Sequence, residues 1–327
     1  MRVLVAGGAG FIGGHLCRTL LDRGHDVICV DDLSTGSRRT LDSLADDPRF
    51  RMIETNVATA PLVESDAILH LASPASPVDY DRLPLETLAA NSAGTWRLLE
   101  IARETGAHLT YTSTSEIYGD PLVHPQPETY WGNVDPVGPR ACYDEAKRFG
   151  EALLTSMRRV HGVNATIVRL FNTYGPGMRA DDGRAIPEMA SAALEGRDIV
   201  IHGDGSQTRS FCYVDDLVEA LLLVGLDRGA DGEILNLGNP DEVTIRHLAT
   251  EIVRLSGSDS ELRFDPRRPG DPERRRPDIG RVRARYGWQP RVDLETGLRD
   301  TIDWFAARRA ELQPVAAGAA RGPTVGA

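Results

Sequence analysis

The chain has 327 residues, 41% of them hydrophobic, and a formal net charge of −11. That size supports one large α/β domain or two smaller ones. The acidic balance argues against a nucleic-acid-binding face, though not against a local basic pocket for a small anion, and no stretch approaches the roughly 18 apolar residues of a membrane span.

The amino terminus, MRVLVAGGAG, carries too short an apolar run for a signal peptide, so a cytoplasmic protein is expected. RVLVAG reads as a strand and FIGGHLCRTLLDRG as a helix, with Gly7, Gly10 and Gly13 between and within them at GxxGxxG spacing. In that context the glycines allow a tight turn, close approach of backbone N–H groups to a pyrophosphate, and close helix–sheet packing. The phosphate would sit on the helix amino terminus. The second strand, HDVICVDD, ends on Asp31 and Asp32, where an acid bonds adenosine ribose hydroxyls and repels a 2′-phosphate. NAD is therefore expected rather than NADP; the plainer reading is an acid capping a helix.

Strand-like runs recur at FRMIETNV, DAILHLAS, LTYTS, ATIVRLFN and EILNLGN, separated by helical segments such as LAANSAGTWRLLEIARETG and YDEAKRFGEALLTSMRRVHG. This alternation predicts an α/β fold, a Rossmann-type doubly wound parallel sheet, with ligands at the carboxyl ends of its strands. The stretch TSTSEIYG puts Glu116 at such an end, beside the hydroxyls of Thr114 and Ser115. A carboxylate there is costly unless something needs it. Further on, Tyr143 and Lys147 stand four apart on a helix and share a face. An ammonium at Lys147 lowers the phenol pKa and holds the nicotinamide ribose, making Tyr143 a base for an alcohol losing hydride. Alone, YxxxK is usually a solvated helix face. The four cysteines (Cys17, Cys29, Cys142, Cys212) lack CxxC or His pairing, so neither a metal site nor a disulfide framework is expected.

With GGAGFIG, HLASPAS, TSTSEIYGDP, HPQPETYWGNVDPVGPRACYDEAKR, RLFNTYGPGM, DDGR, GSQTRSF and RRRPDI, about residues 1–310 resemble the extended short-chain dehydrogenase/reductases, and within them the UDP-glucuronate decarboxylases. The resemblance implies NAD-dependent oxidation of a sugar C4 hydroxyl, loss of carbon dioxide from C5 through the 4-keto intermediate, and reduction by the same cofactor, converting UDP-glucuronate to UDP-xylose. It implies that Thr114 binds the C4 oxygen, Tyr143 exchanges its proton, Lys147 tunes Tyr143, and Glu116 and Arg275 serve the C5 side. Glu116 is also expected to favour decarboxylation by placing negative charge beside the substrate carboxylate. Ser115, Asn172, Arg184 and Arg209 join Glu116, Tyr143 and Arg275 in holding the sugar nucleotide, arginine suiting phosphate. Phe11, Ile12, Ser34, Thr35, Gly36, Asn56, Val57, Leu71 and Ser73 join the glycines, Asp31, Asp32, Tyr143 and Lys147 around NAD. Ala89 stands where family members carry a substrate-contacting lysine, and Asn56 where they carry aspartate. That leaves open a 4-epimerase acting on a hexuronate nucleotide. A catalytically silent NAD-binding regulator is the alternative of a different class.

Residues 1–172, joined by about 209–238, are expected to form the NAD-binding domain, with a smaller α/β substrate lobe from 173–208 and 239–312 and a disordered tail over 313–327. The helical segments around 91–105 and 143–161 resemble those that pair into a dimer interface in this superfamily, which implies a homodimer.

Overall fold

The computed structural model describes residues 1–267 and 272–318. Strand β1 (Arg2–Ala6) turns into helix α1 (Phe11–Asp22), followed by β2 (Asp26–Asp31), β3 (Phe50–Glu54) and β4 (Ala67–His70). Helices α2 (Pro77–Arg82), α3 (Pro84–Ala89) and α4 (Thr95–Thr105) lead to β5 (His108–Thr114), α5 (Ala141–His161) and β6 (Ala165–Leu170). Next come β7 (Thr173–Tyr174), α6 (Ala185–Leu194), β8 (Ile199–His202), β9 (Thr208–Ser210), β10 (Cys212–Tyr213), α7 (Val214–Gly225) and β11 (Ile234–Leu237). The described chain ends with β12 (Glu242–Thr244), α8 (Ile245–Ser256), β13 (Leu262–Asp265), β14 (Arg274–Arg275), α9 (Gly280–Tyr286) and α10 (Leu294–Gly318).

Seven parallel strands form the main sheet in the order β3-β2-β1-β4-β5-β6-β11. Every residue of β5 is buried, which requires helices on both faces. One face is closed by α1 and α7 through Leu16, Leu20, Leu217 and Leu221 against Val3, Val5 and Leu69. The other is closed by α4 and α5 through Leu98, Leu99, Leu154 and Met157 against Leu4, Ile68 and Leu109. This is the expected doubly wound architecture. The chain reverses direction across the sheet between β1 and β4, so a crevice opens at their carboxyl ends.

A separate core of α6, α8 and α10 packs Met189, Leu248, Leu298 and Phe305 over the two-stranded β13-β8 sheet. Helix α8 shows why such a segment folds there: Thr244 caps it by accepting from the His247 N–H, its apolar residues recur on one face, and Gly257 ends it at φ +64°. Beside this core, β9 pairs with β12 and β14, bringing Arg209 alongside Arg275. Helix α10 carries the backbone to Gly318; residues 319–327 of the expected tail lie outside the described residues. Strand β3 stops at Glu54, short of FRMIETNV, because the Asn56 side chain accepts from the Ala58 N–H and caps a short turn at Val57–Thr59.

Candidate active site

The glycine turn is shaped by what touches it. A Cβ on Gly7, which has φ +84°, would sit 2.6 Å from the Ala72 nitrogen, and one on Gly13 would overlap the Gly7 carbonyl. Helix α1 starts at Gly10 with no side-chain cap, so its first N–H groups and dipole are offered to an anion, with Phe11 and Ile12 packed behind. Asp31 accepts from the Ala9 N–H at 2.9 Å and the Leu33 N–H at 2.8 Å. Burial pushes its pKa up against the pull of those two bonds. Asp32, which is exposed, accepts from the Ser34 N–H at 3.0 Å and the Asn56 amide at 2.8 Å. A carboxylate at position 56 would repel Asp32, whereas the amide donates to it.

The remaining groove residues border the same turn. Ser37 N–H bonds the Ala9 carbonyl at 3.1 Å, holding Ser34, Thr35 and Gly36 against it. Leu71 N–H bonds Ala6 at 2.8 Å, Ser73 accepts from Asn91 at 2.8 Å, and buried Val57 sits beside Gly94. Close glycine backbone, an uncapped helix start and a buried carboxylate together fit a dinucleotide of the NAD type.

At the end of β5 the Thr114 hydroxyl accepts from the Glu116 N–H at 3.2 Å and caps the turn Ser115–Tyr118. Tyr143 and Lys147, on successive turns of α5, are both buried, with the ammonium 6.0 Å from the Tyr143 ring centroid. Lys147 Nζ donates to the Thr112 carbonyl at 2.8 Å and lies 5.0 Å from the Tyr111 centroid. Burial lowers the Lys147 pKa to about 7, opposed by the Glu151 charge. Burial raises Tyr143 to about 12, against the nearby Thr114 hydroxyl and Arg184 charge. The expected lowering of the phenol by Lys147 is thus absent from the protein alone, because desolvation of the phenolate outweighs the favourable neighbours.

Glu116 is held as an ion pair on both sides, by Arg275 and by Arg140. Arg275 also donates to the Gly119 carbonyl at 3.3 Å. Burial raises the Glu116 pKa, but Arg275 and then Arg140 more than offset it, and the group sits below the ordinary carboxylate range. Two guanidiniums on one carboxylate leave no unscreened negative charge to press on a substrate acid. The Glu116 charge is thus already compensated within the protein, where the sequence suggested a carboxylate free to repel a substrate acid. Beside it Asp144 is pushed up to about 7, by burial and then by the Glu116 charge.

Ser115 is buried next to this pair, and Arg209 approaches it closely enough to lower the Glu116 pKa. Arg184 donates to the Ala75 carbonyl at 2.8 Å and faces Asp182 at 3.3 Å. Asn172, between β6 and β7, accepts through its main-chain carbonyl from the Cys212 N–H at 2.8 Å. Two neighbours escaped the sequence reading. Arg140 lies 24 positions from Glu116 inside a motif quoted only as a whole. Tyr80 of α2 stacks on Tyr143 with centroids 5.3 Å apart and planes 14° from parallel. Its spacing in SPVDYDR carries no signal of that contact.

This arrangement, a nucleotide groove leading to a Thr–Tyr–Lys corner with a clamped carboxylate, has close relatives. UDP-glucuronic acid decarboxylase 3 of Arabidopsis thaliana is 45% identical over 299 residues, covering 91% of this chain and 87% of the relative. UDP-glucose 4-epimerase of Thermotoga maritima, solved with UDP-glucose, superposes with a TM-score of 0.86 at 31% identity, covering 94% of this chain and 100% of that one. UDP-glucuronic acid 4-epimerase of Bacillus cereus, in complex with UDP-glucuronic acid and NAD, superposes at 0.85 with 27% identity and coverage of 94% and 100%. The model of the NAD dependent epimerase/dehydratase family matches residues 3–238, spanning the glycine turn, β5, α5 and β11, and to that family the chain belongs.

Proposed function

We propose that the protein is an NAD-dependent carboxy-lyase that converts UDP-glucuronate to UDP-xylose through a 4-keto sugar. The observation that carries this reading is the doubly clamped Glu116 two residues beyond Thr114, in a chain 45% identical to a UDP-glucuronic acid decarboxylase. Bound NAD supplies reversible two-electron oxidation at C4. Thr114 holds the C4 oxygen, Tyr143 takes the hydroxyl proton and later returns it, and Lys147 binds the nicotinamide ribose. With a ketone at C4, the C5 carboxylate is a β-keto acid, so its C–C bond breaks to carbon dioxide and the electron pair moves into the enolate. C5 then takes a proton from water in place of the lost carboxylate, which restores the C4 ketone for reduction. Glu116, held as a carboxylate by Arg140 and Arg275, orients the sugar and the water that delivers this proton.

Arg184 and Arg209 hold the diphosphate, with Ser115 and Asn172 contacting the sugar nucleotide. A cavity of about 440 Å3 lies between α6, β8 and Gly183, lined by Met189, Ile199 and Arg197 among others. Its lining includes none of Thr114, Tyr143 or Lys147, so it is separate from the reacting corner. Exposed Leu88, Trp96, Phe149 and Val160 on α3, α4 and α5 support a homodimer through those helices. Four free cysteines suit a reducing cytoplasm. No helix among the described residues is long and apolar enough to cross a membrane.

Incubation with UDP-glucuronate and mass analysis of the nucleotide tests the reading. Loss of carbon dioxide supports it. An isomer of unchanged mass would support 4-epimerisation instead, the reading favoured by Ala89 and by the likeness to the Bacillus cereus enzyme.

A further inference from the structure

The segment Pro176–Arg184, between β7 and α6, reaches from the smaller lobe to separated parts of the nucleotide groove. On the α1 side, His15 Nε2 lies 2.7 Å from the Pro176 carbonyl. Arg179 does more, because its guanidinium makes contacts to two walls at once. Nη1 donates to the Thr35 carbonyl at 3.2 Å, in the loop after β2. Nη2 donates to both carboxylate oxygens of Asp79, at 2.9 Å and 3.1 Å, on α2 beyond β4. Strand β1 lies between β2 and β4, so the bridge from Thr35 to Asp79 passes across the carboxyl end of β1, where the glycine turn sits. The far anchor is firm: Asp79 is buried and accepts from the Ser76 hydroxyl at 2.8 Å. Arg184 adds a second tie to the same wall through the Ala75 carbonyl.

We infer that Arg179 is a strap across the nucleotide groove that slows the escape of NAD, an inference resting on the proposed cycle in which one cofactor serves both oxidation and reduction. A guanidinium suits this task because its planar fork satisfies a carbonyl and a carboxylate together, whereas an ammonium is a single point of attachment. Opening the strap exchanges charge-assisted hydrogen bonds for water, and that exchange slows release. The strap acts on the walls of the groove, so Arg179 is a positioning residue and takes no part in the chemistry at C4 or C5.

The test loads the purified full-length protein with radiolabelled NAD, chases it with excess unlabelled NAD, and follows retained label for wild type, Arg179→Ala and Arg179→Lys, with melting curves on the same preparations. Release from the alanine variant should be about tenfold faster, as expected for loss of one charge-assisted contact, with the lysine variant between. Equal release rates would overturn the strap, including the case where the variants melt earlier yet hold NAD as long as wild type. Wild type that retains no NAD would overturn both the strap and the recycling on which it rests. Equal rates in proteins that retain NAD would leave the recycling standing.

Discussion

Replacing Glu116 with glutamine keeps the shape of the side chain and removes the charge that two arginines share. Arg275, whose side chain is 4% exposed, would then be a buried cation with a weaker partner, while Arg140, at 27%, can turn toward water. Breaking a fully buried pair costs about 3–5 kcal/mol. Because glutamine retains one acceptor oxygen and Arg140 can relax, about 1–3 kcal/mol is expected, a fall of a few degrees in melting temperature. The loss depends on pH in a defined direction. The folded pKa of Glu116 is depressed, so its pairing stabilises the fold above the unfolded carboxylate value and is lost as pH falls through the folded value. The gap between wild type and variant should therefore narrow in acid. The kinetic signature is separate from the stability loss. Thr114 and Tyr143 remain, so oxidation at C4 should proceed while the C5 steps slow by about 10²-fold or more, the usual range for a lost proton-transfer aid. Stopped-flow absorbance near 340 nm on mixing with UDP-glucuronate should show a transient rise absent from wild type, with delayed carbon dioxide release. Wild-type turnover per folded molecule, together with a lowered melting temperature, would show that Glu116 only braces the fold.

Tyr143→Phe keeps the ring stacked on Tyr80 but removes the proton acceptor, and turnover should fall by about 10²–10⁴; activity near wild type would mean that another base operates. Lys147, lowered to about 7, binds fewer protons folded than unfolded from there up to the ordinary lysine value. Its contribution to the stability of the cofactor-free protein therefore rises with pH across that window, and melting curves of Lys147→Met against wild type should show the slope lost in the variant. Asp31→Ala should cut the preference for NAD over NADP by about tenfold or more, since it removes both an acceptor and a repelling charge. Titration with the two cofactors measures this, and an equal preference in wild type would remove Asp31 from that role.

Much of the fold was legible because its signals are local. The spacing of Gly7, Gly10 and Gly13 between a strand and a helix anticipates contacts that the structure makes within a few residues, such as Gly13 against Gly7. Tyr143 and Lys147 share a face because helical periodicity places positions four apart together. The pairing of Glu116 is not local. Arg275 comes from 159 positions away, carried in by β14 on β9, and Arg140 from the start of α5. The resemblance pointed to Arg275, but nothing in the spacing indicated that two cations would meet on one carboxylate. The upward push on Tyr143 in the protein alone is likewise not local: desolvation depends on everything packed around the ring, including Tyr80, while the sequence displays only the lysine one turn away. The early end of β3 was a matter of competing hydrogen bonds, the Asn56 side chain offering the backbone a turn in place of a strand.

The most direct test of the account supplies UDP-glucuronate labelled with carbon-13 at the carboxyl carbon to the purified protein without added cofactor, and follows label and nucleotide together. The account predicts labelled carbon dioxide and UDP-xylose in equal amounts over many turnovers, with no free reduced cofactor accumulating. A nucleotide product that keeps the label, its C4 configuration inverted, would contradict it.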